Sequence, residues 1–257
     1  MVDPQLLAQA AAALRKAERM LVITGAGLSA DSGLPTYRGL GGLYNGVTSE
    51  GIAIESALSG PMLRNNPALC WKYLAQLGTA CLGAQPNDAH RAIARLQQAM
   101  PGCWVLTQNI DGYHLAAGSP AQRLIEIHGQ LAPLYCQSCG AIDEDLRAHL
   151  QQPLPPRCAQ CAGILRPPVV LFEELLPESA VNTLYEQMAR GFDAVLVVGT
   201  TASFPYILEP VLRTQASGGF TVEVNPVPGD LSREVDVYLQ GRALDVMGEL
   251  ISHILFD

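Results

Sequence analysis

The sequence predicts an α/β fold: a Rossmann-like parallel sheet with helices on both faces and a small second unit beside it. Three observations predict it. First, short, continuous apolar runs recur at residues 20–23, 103–107, 123–127, 194–198 and 220–224. Second, stretches with apolar residues three or four apart, 88–98 and 178–190, lie between them. Strands that are apolar throughout are buried on both faces, as the strands of a helix-covered parallel sheet are. Third, two segments break the alternation. Residues 36 to about 83 open with a loop carrying Gly39, Gly41, Gly42 and Gly46 and continue into helix-like stretches at 54–58 and 67–77. Residues 136 to about 165 carry paired cysteines with Pro153, Pro155 and Pro156. The sheet domain is therefore expected from 1–36, 84–135 and 166–257, and the small domain from 37–83 and 136–165. A cleft between them, at the carboxyl ends of the strands, is where a ligand is expected.

Taken in order, the chain begins with an alanine-rich segment over 6–14. Asp3 stands at the N-cap position and Pro4 at the first helical position, so a helix is expected. Its charges, Arg15, Lys16, Glu18 and Arg19, follow the apolar part, whereas a secretory signal has them in front. The first strand turns sharply at Gly25-Ala26-Gly27 and runs on through Ser29, Asp31, Ser32 and Gly33 into Pro35. Such a turn serves either as a plain tight bend or as an approach for a phosphate, and the turn alone does not decide between them. After the 103–107 strand comes Thr107-Gln108-Asn109-Ile110-Asp111-Gly112-Tyr113-His114. Amides and a carboxylate leaving a strand end can orient a ligand, or can close an Asx turn on their own backbone. The strand over 123–127 ends at His128-Gly129. A lone histidine there is more often structural than catalytic.

A chain of 257 residues with 49% hydrophobic content can bury one large core and a satellite. A net charge of -8 argues against nucleic-acid binding by a basic face. No apolar run approaches the roughly 20 residues that cross a bilayer. The spacing Cys136-x2-Cys139 and Cys158-x2-Cys161, the pairs 18 residues apart, fits a four-thiolate zinc site. Four protein ligands leave no open position, so the metal is expected to be structural. Disulfides would need an oxidising compartment for which the sequence carries no signal, and a cytoplasmic protein is expected. Cys70, Cys81 and Cys103 sit in apolar surroundings and read as core thiols, and His149 as a surface residue.

Together these motifs resemble the sirtuin family, over about residues 20 to 250. The resemblance rests on Gly25-Ala26-Gly27-Leu28-Ser29 with Ser32-Gly33-Leu34-Pro35-Thr36-Tyr37-Arg38, then Gln108-Asn109-Ile110-Asp111, His128-Gly129 and the paired cysteines. Arg166-Pro167-Pro168-Val169-Val170-Leu171-Phe172-Glu173-Glu174, Gly199-Thr200-Thr201, Val224-Asn225 and the stretch from Gly241 to Ala243 follow in the family's order. It implies an NAD-dependent protein-lysine deacylase with structural zinc. The acyl oxygen would attack the nicotinamide ribose, expelling nicotinamide and leaving an ADP-ribosyl imidate. His128 would then act as general base on a ribose hydroxyl, giving free lysine and acylated ADP-ribose. Asn109 and Asp111 would complete the catalytic set. Gly25, Ala26, Gly27, Ser29, Asp31, Pro35, Thr36, Tyr37, Arg38, Tyr44, Gln108, Asn109, Ile110, Asp111, Gly199, Thr200, Thr201, Asn225 and Ala243 would hold the dinucleotide. Val170, Phe172, Glu173 and Glu174 would meet an acylated-lysine protein or peptide, and His114 would tie down the loop after Asp111. No nucleic acid or membrane partner is implied.

The departures from the family pattern bear on specificity. Tyr37 replaces phenylalanine, Glu173 stands where glycine is usual, Thr201 replaces serine, and Ala202-Ser203-Phe204-Pro205 lacks the family's leucine-rich pattern. Members that prefer acidic acyl groups carry Tyr and Arg where this chain has Leu74 and Leu77, so neutral acyl groups are expected over succinyl. Two other readings stay open at this level: an NAD-consuming ADP-ribosyltransferase or glycohydrolase, and a non-catalytic NAD or acyl-lysine binding module.

Overall fold

The computed structural model describes residues 2–35 and 47–256. Thr36, Tyr37, Arg38 and Tyr44 lie outside the described residues. The first half of the chain builds α1 (Pro4–Leu14), β1 (Met20–Thr24), α2 (Ala26–Ser29), α3 (Ile54–Ala57), α4 (Gly60–Asn65), α5 (Pro67–Gly83), α6 (Asp88–Ala99), β2 (Cys103–Thr107), α7 (Tyr113–Ala116) and β3 (Leu124–Glu126). The second builds β4 (Leu134–Cys136), β5 (Ile142–Asp143), α8 (Leu146–His149), β6 (Leu165–Arg166), α9 (Glu178–Ala189), β7 (Ala194–Val198), α10 (Pro205–Ala216), β8 (Phe220–Asn225), β9 (Val237–Gln240) and α11 (Ala243–Phe256).

Six strands form a wholly parallel sheet in the order β3-β2-β1-β7-β8-β9. The chain winds outward from β1 through β2 to β3, then returns to the other side of β1 and winds outward again. The order therefore reverses between β1 and β7, the point at which doubly wound sheets bind ligands beyond the carboxyl ends of their strands. Register keeps those ends level: Thr24 lies opposite both Thr107 and Val198, and Val198 opposite Val224. The turns beginning at Gly25, Gln108 and Gly199, and Asn225 at the end of β8, consequently form one row.

Side chains alternate across the strands and feed two apolar layers. Met20, Val22, Val105, Leu196 and Val222 face α1, α6 and α11, while Leu21, Ile23, Leu106, Val195 and Val197 face α9 and α10. Every residue of β1 and β7 is buried, as expected for central strands covered on both faces. The α1 helix starts as its sequence dictates: Asp3 Oδ1 accepts from the Gln5 backbone N–H at 2.8 Å, with Pro4 at the first position.

A separate apolar cluster joins α3, α4 and α5 to the second sheet, which is antiparallel in the order β5-β4-β6. Ile54, Leu63, Trp71, Leu74, Leu134 and Leu165 are buried in it, and the Trp71 indole N–H donates to the Leu165 carbonyl at 3.0 Å. Leu131, Val169 and Leu171 belong to this cluster too, so its packing reaches past 136–165 at both ends.

Several elements differ from their sequence outline. The helix expected over 67–77 continues to Gly83, and the strand expected over 123–127 pairs only over Leu124–Glu126. The helices α10 and α11 and the strand β9 have no counterpart among the expected elements. Pro210 inside α10 disguises its helical period; the helix survives because Pro205 occupies its first turn and Ile207 and Val211 bury against the sheet. His149 is not a surface residue: its ring is 12% exposed and its Nε2 meets Asp143 Oδ2 at 2.8 Å, tying α8 to β5. Cys70 and Cys103 are buried as expected, Cys81 is partly so, and burial pushes all three thiols up to about 12. No helix among the described residues is long and apolar enough to cross a membrane.

Candidate active site

The turns after β1 and β7 touch through glycine. The Gly27 N–H donates to the Gly199 carbonyl at 2.8 Å. A Cβ on Gly27 would stand 2.7 Å from Gly199 Cα, and one on Gly25 would stand 2.6 Å from Thr200 Cβ. Gly199 itself adopts φ +62°, the left-handed region that glycine enters without cost. These three glycines are what brings the two turns at the switch point into contact.

Polar groups from β1 and β2 then interlock. Gln108 Nε2 donates to Thr200 Oγ1 at 2.8 Å, joining the β2 turn to the β7 turn. Asn109 Nδ2 donates to the Gly25 carbonyl at 3.0 Å and to Ser29 Oγ at 3.2 Å. Ser29 Oγ donates in turn to Asp111 Oδ2 at 2.7 Å, while Asp111 Oδ1 accepts the Tyr113 N–H at 2.9 Å. Asp111 thus does both things open to it, closing an Asx turn with one oxygen and facing the first turn with the other. Burial raises its carboxyl, and the N–H of Tyr113 and the hydroxyl of Ser29 oppose that rise.

His128 follows β3, half-buried. Its Nδ1 lies 3.0 Å from the Gln108 carbonyl and its Nε2 lies 2.8 Å from the Tyr206 hydroxyl. A carbonyl only accepts, so Nδ1 carries the proton and Nε2 presents the lone pair. Burial lowers the His128 pKa against the opposing pull of the Gln108 carbonyl, and the ring is neutral at neutral pH. His114, in α7 after β2, is buried, with Nε2 2.9 Å from Thr24 Oγ1.

The remaining candidates sit around this centre. Asn225 Nδ2 donates to the Thr200 carbonyl at 3.1 Å, and Asp31 pairs with Arg242 at 3.1 Å. Ile110 packs on the second cluster, Pro35 is half-buried, and Ala26 opens α2. Thr201 is exposed and bonded to Ser203 Oγ, and Ala243 is buried in the sheet core at the start of α11.

Between His128 and the second cluster runs the segment Val169–Glu174. The Val170 N–H donates to the His128 carbonyl and the Phe172 N–H to the Leu58 carbonyl, each at 2.9 Å. Arg166, 8% exposed, grips Glu174 with two nitrogens at 2.7 and 2.9 Å and donates to the Val169 carbonyl at 2.7 Å. Glu174 also accepts the Leu171 N–H at 3.0 Å. Burial alone would raise the Glu174 carboxyl, but Arg166 holds it below its ordinary value. Glu173 is exposed and adopts φ +64°, which explains why glycine is the usual residue there.

Three contributors escaped the sequence reading. Tyr206 directly follows the Ala202-Ser203-Phe204-Pro205 stretch that departs from the family pattern, and nothing in its neighbours marks it. His90 is buried with Nε2 3.3 Å from Ser29 Oγ, and burial lowers it to about 4. Its signal was available, because Asn87 three residues earlier forms a capping box with it. The Arg166 clamp required knowing that Glu174 folds back eight residues later.

The four sulfurs of Cys136, Cys139, Cys158 and Cys161 lie within 4.8 Å of one another. Cys136 and Cys161 are 3.5 Å apart and Cys139 and Cys158 3.7 Å. A tetrahedron of Zn–S bonds near 2.3 Å has edges of about 3.8 Å, so the donor set fits zinc. The Ser138 and Gln160 N–H groups point at Cys136 and Cys158 sulfur at 3.4 Å, as in a thiolate knuckle.

Comparison with known proteins agrees with this architecture. The Sir2 family model matches residues 25–204. The NAD-dependent protein deacylase 2 of Pseudomonas aeruginosa is 72% identical over 248 residues, covering 96% of this chain and 97% of that protein. The NAD-dependent protein deacylase of Pyrococcus furiosus is 35% identical, covering 97% and 98%. A solved Sir2 homologue in complex with NAD superposes with a TM-score of 0.83 at 33% identity, covering 98% of this chain and 93% of that one. Sir2Af2 bound to a myristoylated histone peptide gives a TM-score of 0.79 at 28% identity, covering 98% and 97%.

Proposed function

This chain belongs to the Sir2 family and is an NAD-dependent protein deacylase; on that premise we propose that it removes acetyl and other neutral acyl groups from protein lysines, with His128 as general base. The observation that carries the assignment is the convergence of Ser29, Gln108, Asn109, Asp111 and His128 at the switch point of a doubly wound sheet.

NAD supplies, when bound, an electrophilic sugar carbon and nicotinamide as leaving group. The glycine turns after β1 and β7, with Ser29, Thr200 and Asn225, are the groups we assign to its phosphates and adenosine side. Asn109 and Asp111 are assigned to the nicotinamide ribose and its carboxamide, with Asp111 steered by Ser29. His128 presents Nε2 as the basic nitrogen because the Gln108 carbonyl holds the proton on Nδ1. Its lowered pKa keeps that lone pair available at neutral pH. The domain division of the sequence reading belongs to the same proposal, with the separate apolar cluster in its support.

The peptide strand is placed at Glu173 rather than along the whole loop. Val170, Leu171 and Phe172 already spend their N–H groups within the protein. Neutral acyl preference rests on α5. Leu74 is buried, Leu77 packs against the same cluster, and Lys72 is engaged by Glu50. No guanidinium at these positions waits for a buried carboxylate. The cytoplasm is the compartment we assign, since a four-thiolate zinc site needs reduced cysteines.

Mass spectrometry of acetyl-lysine peptide incubated with NAD tests the reading. Deacetylated peptide with an equal amount of acetyl-ADP-ribose is expected, lost by at least a hundredfold in His128→Ala. Nicotinamide release without deacylated peptide would sink it. Turnover of a succinyl peptide faster than the acetyl one would overturn the acyl preference alone.

A further inference from the structure

His128 has one lone pair with which to accept a proton, and a side chain of its own protein already occupies it. Nδ1 is committed to the Gln108 carbonyl, and Nε2 lies 2.8 Å from the Tyr206 hydroxyl. A phenol bonded to a nitrogen lone pair donates to it. We propose that Tyr206 caps the general base, competing with the sugar hydroxyl of the dinucleotide for Nε2, and so sets how readily the site accepts NAD. The proposal rests on the reading of His128 as the base.

The cap is built rather than incidental. Tyr206 stands in the first turn of α10 directly after Pro205, and its ring stacks on Phe204 at 5.3 Å and 12°. Phe204 in turn meets the His128 ring edge-on at 5.8 Å. The segment leading there is held in an unfavourable conformation, with Ala202 at φ +50°. Burial pushes the Tyr206 hydroxyl up to about 12, so it stays a donor throughout the neutral range. The polar groups bonded to the imidazole are the Gln108 carbonyl and the Tyr206 hydroxyl. Asp111 and Glu126 are the carboxyls on the flanking elements, and burial raises both. A hydroxyl on the incoming ribose must replace the Tyr206 bond before His128 can take its proton.

Tyr206→Phe tests this, because it removes the donor and keeps the stacked ring. Carbethoxylation of His128 by diethyl pyrocarbonate at pH 7, without NAD and read by peptide mass spectrometry, is expected to run about threefold to tenfold faster in the variant. The difference should vanish at saturating NAD, and KM for NAD should fall by a similar factor with kcat within twofold. Equal modification rates would overturn the cap. So would a large loss of kcat at unchanged KM, which would place the hydroxyl in the reaction instead. His128→Ala tests the parent reading separately: if it deacylates normally, His128 is not the base, whatever the modification rates show.

Discussion

At the scale of single residues, strain and burial make the sharpest expectations. Glu173 holds φ +64° without a glycine's freedom and its side chain is exposed. Glu173→Gly relieves about 1–2 kcal/mol of left-handed strain and gives back about 0.5–1 kcal/mol in unfolded-chain entropy. A net stabilisation of about 0.5–1 kcal/mol is expected in urea titration. His90 and His114 are held neutral by burial, at about 4 and about 3. Their folded pKa values lie below the unfolded value, so the unfolded chain binds more protons as pH falls. The stability they contribute is complete above about 6.5 and is lost as pH drops toward those folded values. Denaturation midpoints should therefore fall between pH 7 and 5, and His114→Gln should flatten that slope. The candidate site residues were partly legible here. Ser29, Asn109, Asp111 and His128 stand in contiguous motifs at strand ends, whereas Tyr206 acts only through a contact with a residue 78 positions away.

At the scale of elements, two contacts decide whether the site is assembled. The β1 and β7 turns meet at van der Waals distance, and a methyl on Gly27 has backbone on the other side, which cannot step away as a side chain could. Gly27→Ala should separate the turns and weaken NAD binding by at least tenfold in calorimetry, with a lowered Tm. The loop after β6 is held by Arg166 and Glu174, buried enough that breaking the pair leaves an uncompensated charge. Arg166→Ala should cost about 3–5 kcal/mol in chemical denaturation. It should also raise KM for the peptide, because Val169 and Leu171 lose their anchor. Strand positions were readable because central parallel strands are apolar throughout; α10 was not, because a proline inside it hides the period that its packing restores.

For the whole molecule, the zinc-ligand set is continuous with the second apolar cluster and separate from the sheet's two layers. Cys136 and Cys158 are buried in the same cluster as Trp71, Leu134 and Leu165. Metal removal by a strong chelator is expected to expose Trp71 while the sheet keeps its secondary structure. A red shift of tryptophan emission with retained far-ultraviolet dichroism would report it, since Trp104 belongs to the sheet layer. Simultaneous collapse of both signals would show instead that the two cores unfold as one.

Short-range pattern alone encodes the buried strands, the glycine turn, the cysteine pairs, and the order of motifs that carries the family resemblance. That β7 returns beside β1, that Arg166 reaches Glu174 and that Tyr206 meets His128 comes from packing between distant segments. The reason is physical. Periodicity and turn chemistry act between near neighbours, whereas a lone pair, a buried charge or a glycine contact takes its meaning from whichever distant segment the packing lays against it.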